Sequence, residues 1–100
     1  MPFVTSRGAE IYYEVHGEGP VLVFAHGMGG NHLSWWQQVP EFVRRGYRVV
    51  TFDHRGFGRS SCPPSSFHPL HFPDDLFAIL GELGAERAAL VCQSMGGWTG

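Results

Sequence analysis

A chain of 100 residues forms one domain at most. Its seven basic residues, all arginine, are scattered among nine acidic ones for a net charge of -2, which argues against a nucleic-acid surface. The absence of lysine rules out phosphate cradles of the P-loop kind, and the longest clean apolar run, VLVFA, is too short to cross a bilayer.

The start, MPFVTSRGAE, lacks a charged-then-apolar leader pattern, so a cytoplasmic setting with no membrane partner is expected. FVTS and AEIYYEV surround the dipeptide RG and read as a short hairpin; the second segment has the alternation and β-branched content of a half-buried strand. HGEGP is a turn. VLVFA is then a continuous apolar run of strand length, as a strand covered on both faces requires.

After the glycine-rich loop HGMGGN, the segment HLSWWQQVPEFVRRG reads as helical, with Trp35, Val39, Phe42 and Val43 sharing a face. Pro40 leaves two arrangements open. One is a single helix; the other is a helix opening at Pro40 and running to Arg45, with the tryptophans in a separate turn before it. Both tryptophans are expected to pack rather than to form a substrate platform. Gly46 is a stop.

YRVVTFD is a second buried strand, and HRGFGRSSCPPSSFH a loop dense in Gly, Pro and Ser. PDDLFAILGELG is the clearest helix: Leu76, Ile79, Leu80 and Leu83 repeat at helical spacing, Asp74 and Asp75 favour its positive end, and Gly84 ends it. AALVC is the last strand. Strands alternating with helices predict an α/β fold whose sheet is mostly parallel, with an N-terminal antiparallel hairpin. His68 and His71 lie in a Pro-rich loop with no carboxylate or cysteine at ligand spacing, so no metal is expected. Cys62 and Cys92 are expected as free thiols.

The stretch LVCQSMGGWTG has the form of a strand that breaks on Ser94 and enters a helix. A serine hydroxyl is a poor nucleophile at neutral pH; it needs a base within reach and donors aimed at the developing oxyanion. A tight strand–serine–helix turn exposes that oxygen and directs backbone N–H groups toward a reacting carbonyl. Such a turn is crowded, so small residues must stand two positions away on either side; here they are Cys92 and Gly96.

HGMGG after the third strand, FDHRGFGRS after the fourth and CQSMGG at the elbow resemble, in order and context, the first half of the α/β-hydrolase fold. The resemblance implies five strands, two helices and the start of the nucleophile helix. It implies Ser94 as nucleophile, the backbone N–H groups of Met28 and Met95 as the oxyanion hole, and His26 and Gly27 as shapers of the loop that presents Met28. Asp53, Arg55, Gly56 and Gly58 match a loop whose role in the family is chiefly structural; Asp53 is expected to bind nearby backbone N–H groups. Cys92 departs from the commoner glycine.

In the family the catalytic acid and histidine follow the serine in chain order. Only six residues follow Ser94, none of them Asp, Glu or His. Residues 1–100 are therefore expected to form an incomplete domain, the N-terminal part of a hydrolase, inactive alone and needing a missing C-terminal half. The substrate is expected to be a small molecule carrying an ester, lactone or similar acyl bond, with no cofactor. Branches of the family that open epoxides or displace halide use aspartate at the elbow, so Ser94 argues against both. The alternative is a non-catalytic chain that binds a partner.

Overall fold

The computed structural model describes residues 3–63, 65 and 67–99. Strand β1 (Phe3–Ser6) turns on Arg7 and Gly8 into β2 (Ala9–His16), and the two pair antiparallel. Both turn residues have positive φ, 42° and 81°, which gives a two-residue turn the twist its flanking strands need.

Strand β3 (Val21–Ala25) lies parallel to β4 (Arg48–Phe52), and β5 (Ala89–Cys92) lies parallel to β3 on its other side. β2 joins this block antiparallel to β4, giving the order β1-β2-β4-β3-β5. The sheet is mixed, with the hairpin on one flank and the parallel strands on the other. Because β3, β4 and β5 point the same way, the loops that follow them gather at one edge, where an open α/β sheet places its ligands.

Alternation along the strands sorts the core into two layers. Leu22, Phe24 and Val49 face Val39, Phe42 and Val43 of α1 (Gln38–Arg44), together with Trp35. Val23, Ala25, Val50 and Phe52 face the opposite way, with Ile11 and Tyr13, and pack on Leu76 and Ile79 of α2 (Phe72–Leu83). The apolar stripes read from both helices are the faces that meet the sheet. Among the described residues no helix is long and apolar enough to cross a membrane.

Between β3 and α1 the chain forms a separate 3-10 turn, His32–Trp35. Asn31 caps it: its side chain accepts from the Leu33 N–H, while Ser34 Oγ accepts from the Asn31 N–H. Pro40 has no N–H to offer the Trp36 carbonyl, so one continuous helix would lose a bond there. It occupies the third position of α1 rather than the first. The two tryptophans divide. Trp35 stacks on Phe24, with ring centroids 4.8 Å apart, whereas Trp36 is 68% exposed and is not a packing group.

Asp75 also differs from expectation. Its carboxylate is wholly buried and receives two bonds from the equally buried Arg55, Nε to Oδ2 at 2.8 Å and Nη2 to Oδ1 at 2.6 Å. Arg55 donates further to the Ser6 carbonyl at 2.9 Å, so one guanidinium ties the hairpin, the loop after β4 and α2 together.

Candidate active site

Strand β5 ends at Cys92, and Gln93 is still extended, its N–H donating to the Ala25 carbonyl at 3.1 Å. Ser94 then takes φ of +49°, a left-handed conformation that costs a non-glycine residue energy. A 3-10 turn, Ser94–Trp98, follows, and the Gly96 N–H closes back on the Gln93 carbonyl at 2.8 Å. The helix expected after Ser94 is here a tightly wound 3-10 turn. Ser94 is exposed, while Met95 is buried. The requirement for a small residue is visible at Gly96: a Cβ there would run into the Ala25 carbonyl. On the other flank, Cys92 is an exposed free thiol.

The loop after β3 leans on this elbow. A Cβ built on Gly27 would stand 3.5 Å from the Ser94 Cβ and 3.2 Å from the Gln93 carbonyl oxygen. Residues 27–30 form a four-residue turn closed by the Gly30 N–H on the Gly27 carbonyl at 3.0 Å. Gly29 supplies the positive φ, 84°, and Met28 stands 73% exposed at the tip.

His26 is fully buried beside this turn. Its Nδ1 lies 2.7 Å from the Gly27 carbonyl oxygen, and its Nε2 lies 2.9 Å from the His54 N–H and 3.1 Å from His54 Nδ1. His54 Nε2 in turn lies 2.7 Å from Thr99 Oγ1. Burial pushes the His26 pKa down, and burial joined by the neighbouring His26 brings that of His54 from 6.5 to about 3. Both rings are neutral at physiological pH.

Asp53, also fully buried, accepts from the backbone N–H groups of His32 at 2.5 Å and Arg59 at 2.8 Å, as the sequence reading expects. It also meets His32 Nδ1 at 2.8 Å, a contact the sequence gives no sign of. Gly58 closes over the same carboxylate, leaving no room for a Cβ. Gly56 stands next to Cys62 and Phe67. His32 reaches on to Glu14, Nε2 to Oε2 at 3.4 Å; Tyr12 donates to that same oxygen at 2.6 Å, and this bond holds the Glu14 pKa below its ordinary value.

Sequence reasoning passes over His32, His54 and Thr99. For His54 a signal exists, a polar ring directly after Asp53 where the buried strand β4 runs out. The described histidines bond elsewhere than to Ser94: His26, His54 and His32 as above, His16 with Glu14, His68 with the Leu70 N–H and His71 with Arg55. The arrangement offers an exposed serine on a strained corner beside a second, glycine-rich loop, and among the described residues no histidine is bonded to it.

Residues 20–100 match the family model described as alpha/beta hydrolase fold. The chain is 42% identical to a putative non-heme chloroperoxidase of Synechocystis over 96% of its own length and 37% of that protein's. Among solved structures, Est816, described as an N-acyl homoserine lactone degrading enzyme, superposes with a TM-score of 0.92 at 37% identity, over 98% of this chain and 38% of that one. An epoxide hydrolase of Vigna radiata gives 0.90 at 33% identity, over 98% and 32%. The chain therefore spans about a third of the length of the relatives it matches. Motif order, sheet topology and these likenesses agree, and the chain belongs to the α/β-hydrolase fold family.

Proposed function

We propose that these residues are the N-terminal part of a serine hydrolase that cleaves ester, lactone or related acyl bonds. Ser94 attacks the acyl carbon, and the backbone N–H groups of Met28 and Met95 receive the oxyanion. The observation that carries this reading is the exposed Ser94 at φ +49°, with Gly27 against its Cβ. A left-handed serine between a strand and a helical turn is strain placed where function needs an accessible oxygen. His26, Gly27, Asp53 and Gly96 act as supports: Asp53 spends its carboxylate on His32 and Arg59, and Gly96 lets the turn sit on the Ala25 carbonyl.

The base that deprotonates Ser94, and the acid that orients it, come from the rest of the complete protein. The likeness to a lactone-degrading enzyme favours acyl chemistry, and a serine at the elbow separates this chain from branches that use aspartate there. In the full-length protein, a fluorophosphonate probe is expected to label Ser94, and Ser94→Ala is expected to abolish both labelling and ester turnover. Labelling that survives Ser94→Ala would remove Ser94 as nucleophile.

A further inference from the structure

Thr99, His54 and His26 form one buried chain of hydrogen bonds across the loops that follow β5, β4 and β3, and its proton order is fixed from one end. The Gly27 carbonyl can only accept, so His26 Nδ1 carries the hydrogen. A neutral ring has no second hydrogen, so His26 Nε2 is bare and accepts from the His54 N–H and from His54 Nδ1. His54 Nδ1 must then be protonated, since two bare nitrogens 3.1 Å apart would repel. That leaves His54 Nε2 bare, and Thr99 Oγ1 donates to it at 2.7 Å. The rings of Phe52, Phe72 and Phe57 lie 4.8 and 4.7 Å from His54 and 5.5 Å from His26, an apolar setting in which each bond is strengthened.

The chain ends on the peptide that joins Gly27 to Met28. In a trans peptide the carbonyl and the N–H are held antiparallel in one plane. The Gly27 oxygen is held by two donors, His26 Nδ1 at 2.7 Å and the Gly30 N–H at 3.0 Å. Pinning that oxygen sets the direction of the Met28 N–H on the far side of the same plane. At the other end, the Thr99 N–H bonds the Gly96 carbonyl at 3.0 Å, within the turn that opens at Ser94. The polar chain therefore links the loop carrying Met28 to the turn carrying Met95.

We propose that His54 and Thr99 are positioning residues: the Thr99–His54–His26 chain orients the Gly27–Met28 peptide so that the Met28 amide faces the acyl oxygen. This rests on the acyl-transfer reading of Ser94. Removing the Thr99 hydroxyl leaves the bare, buried His54 Nε2 without its donor and loosens the far end of the chain, without touching a group that meets substrate.

The test uses the full-length protein with 15N-labelled histidine. Long-range 1H–15N spectra are expected to show His26 and His54 both protonated on Nδ1 and bare on Nε2. Thr99→Val is expected to shift the His54 Nε2 resonance, as that nitrogen loses its donor while both rings stay protonated on Nδ1, and to lower kcat for an ester about tenfold, part of the loss seen when an oxyanion donor is removed outright. KM is expected to hold, and Thr99→Ser, which keeps the hydroxyl, to restore both spectrum and kcat. Either ring protonated on Nε2 would overturn the proposal even if Thr99→Val fails to fold. Unchanged kcat in a folded Thr99→Val, or an equal loss in Thr99→Ser, would overturn it too. The spectrum reads the hydrogen-bond chain whether or not Ser94→Ala abolishes turnover, so the two readings fail separately.

Discussion

His54 has none of its surface exposed, and its ring is enclosed by Phe52, Phe72 and His26. With a folded pKa of about 3 against 6.5, it stays neutral in the native chain at pH values where the unfolded chain protonates it. The unfolded state then binds more protons, so stability rises with pH through this window; it is fully present above pH 6.5 and is lost as pH falls toward 3. His26 pulls in the same direction. A depression of this size contributes on the order of 2 kcal/mol of lost stability by pH 5. Urea unfolding of the full-length protein at pH 7 and pH 5 is expected to show that drop, and His54→Asn to flatten it. An equal pH dependence in the variant would locate the acid sensitivity elsewhere. The sequence marks His54 only as a polar ring where a buried strand ends, and gives no sign of what that ring meets. Ser94, Gly27 and Gly96 are legible because a turn geometry demands their residue types at fixed spacing. His54 and Thr99 stand 45 residues apart and leave no such pattern.

At the level of elements, periodicity carried most of the information. The apolar face of α2 and the buried runs of β3 and β4 were legible, because one physical requirement repeats along each segment. The break between His32–Trp35 and α1 was legible only as two alternatives, since the sequence places Pro40 without saying which turn the tryptophans join. The role of Asp75 was hidden, because a carboxylate in a helix's first turn has an adequate local explanation in the helix dipole. Its actual partner, Arg55, comes from another element and is equally buried. Removing one member of such a pair leaves an uncompensated buried charge and costs about 3–5 kcal/mol. Asp75→Asn is therefore expected to destabilise the full-length protein by that amount. The double replacement Arg55→Met with Asp75→Leu is expected to cost less than either single change. Chemical denaturation of Arg55→Met, Asp75→Leu and the pair combined checks the order; additive losses would mean the two side chains act independently.

For the molecule as a whole, β5 is the informative strand. Leu90 packs on the core, but Ala89, Val91 and Cys92 are exposed, and β5 pairs on one side with β3 while ending the sheet order on the other. Such an edge offers unpaired backbone groups to any other chain. Residues 1–100 expressed alone are expected to self-associate through it, and Val91→Lys to raise the monomer fraction, measured by size-exclusion chromatography with light scattering. A monodisperse monomer with a sharp cooperative thermal transition would show that this edge needs no cover. The family was legible at this scale because three loop motifs stand in order at the ends of three parallel strands. The substrate was not, since the exposed rim residues Met28 and Trp36 name no chemical group.

The positive φ at residue 94 reaches beyond this one chain. Left-handed backbone is disfavoured for most side chains but least so for asparagine and aspartate, whose short polar groups can bond locally. A bend that already holds serine would therefore accommodate a carboxylate with no redrawing of the main chain. Exchange of a single side chain at such a corner can redirect a scaffold from one electrophile to another, and a lineage that includes both a lactone degrader and an epoxide opener has the diversity such a corner permits.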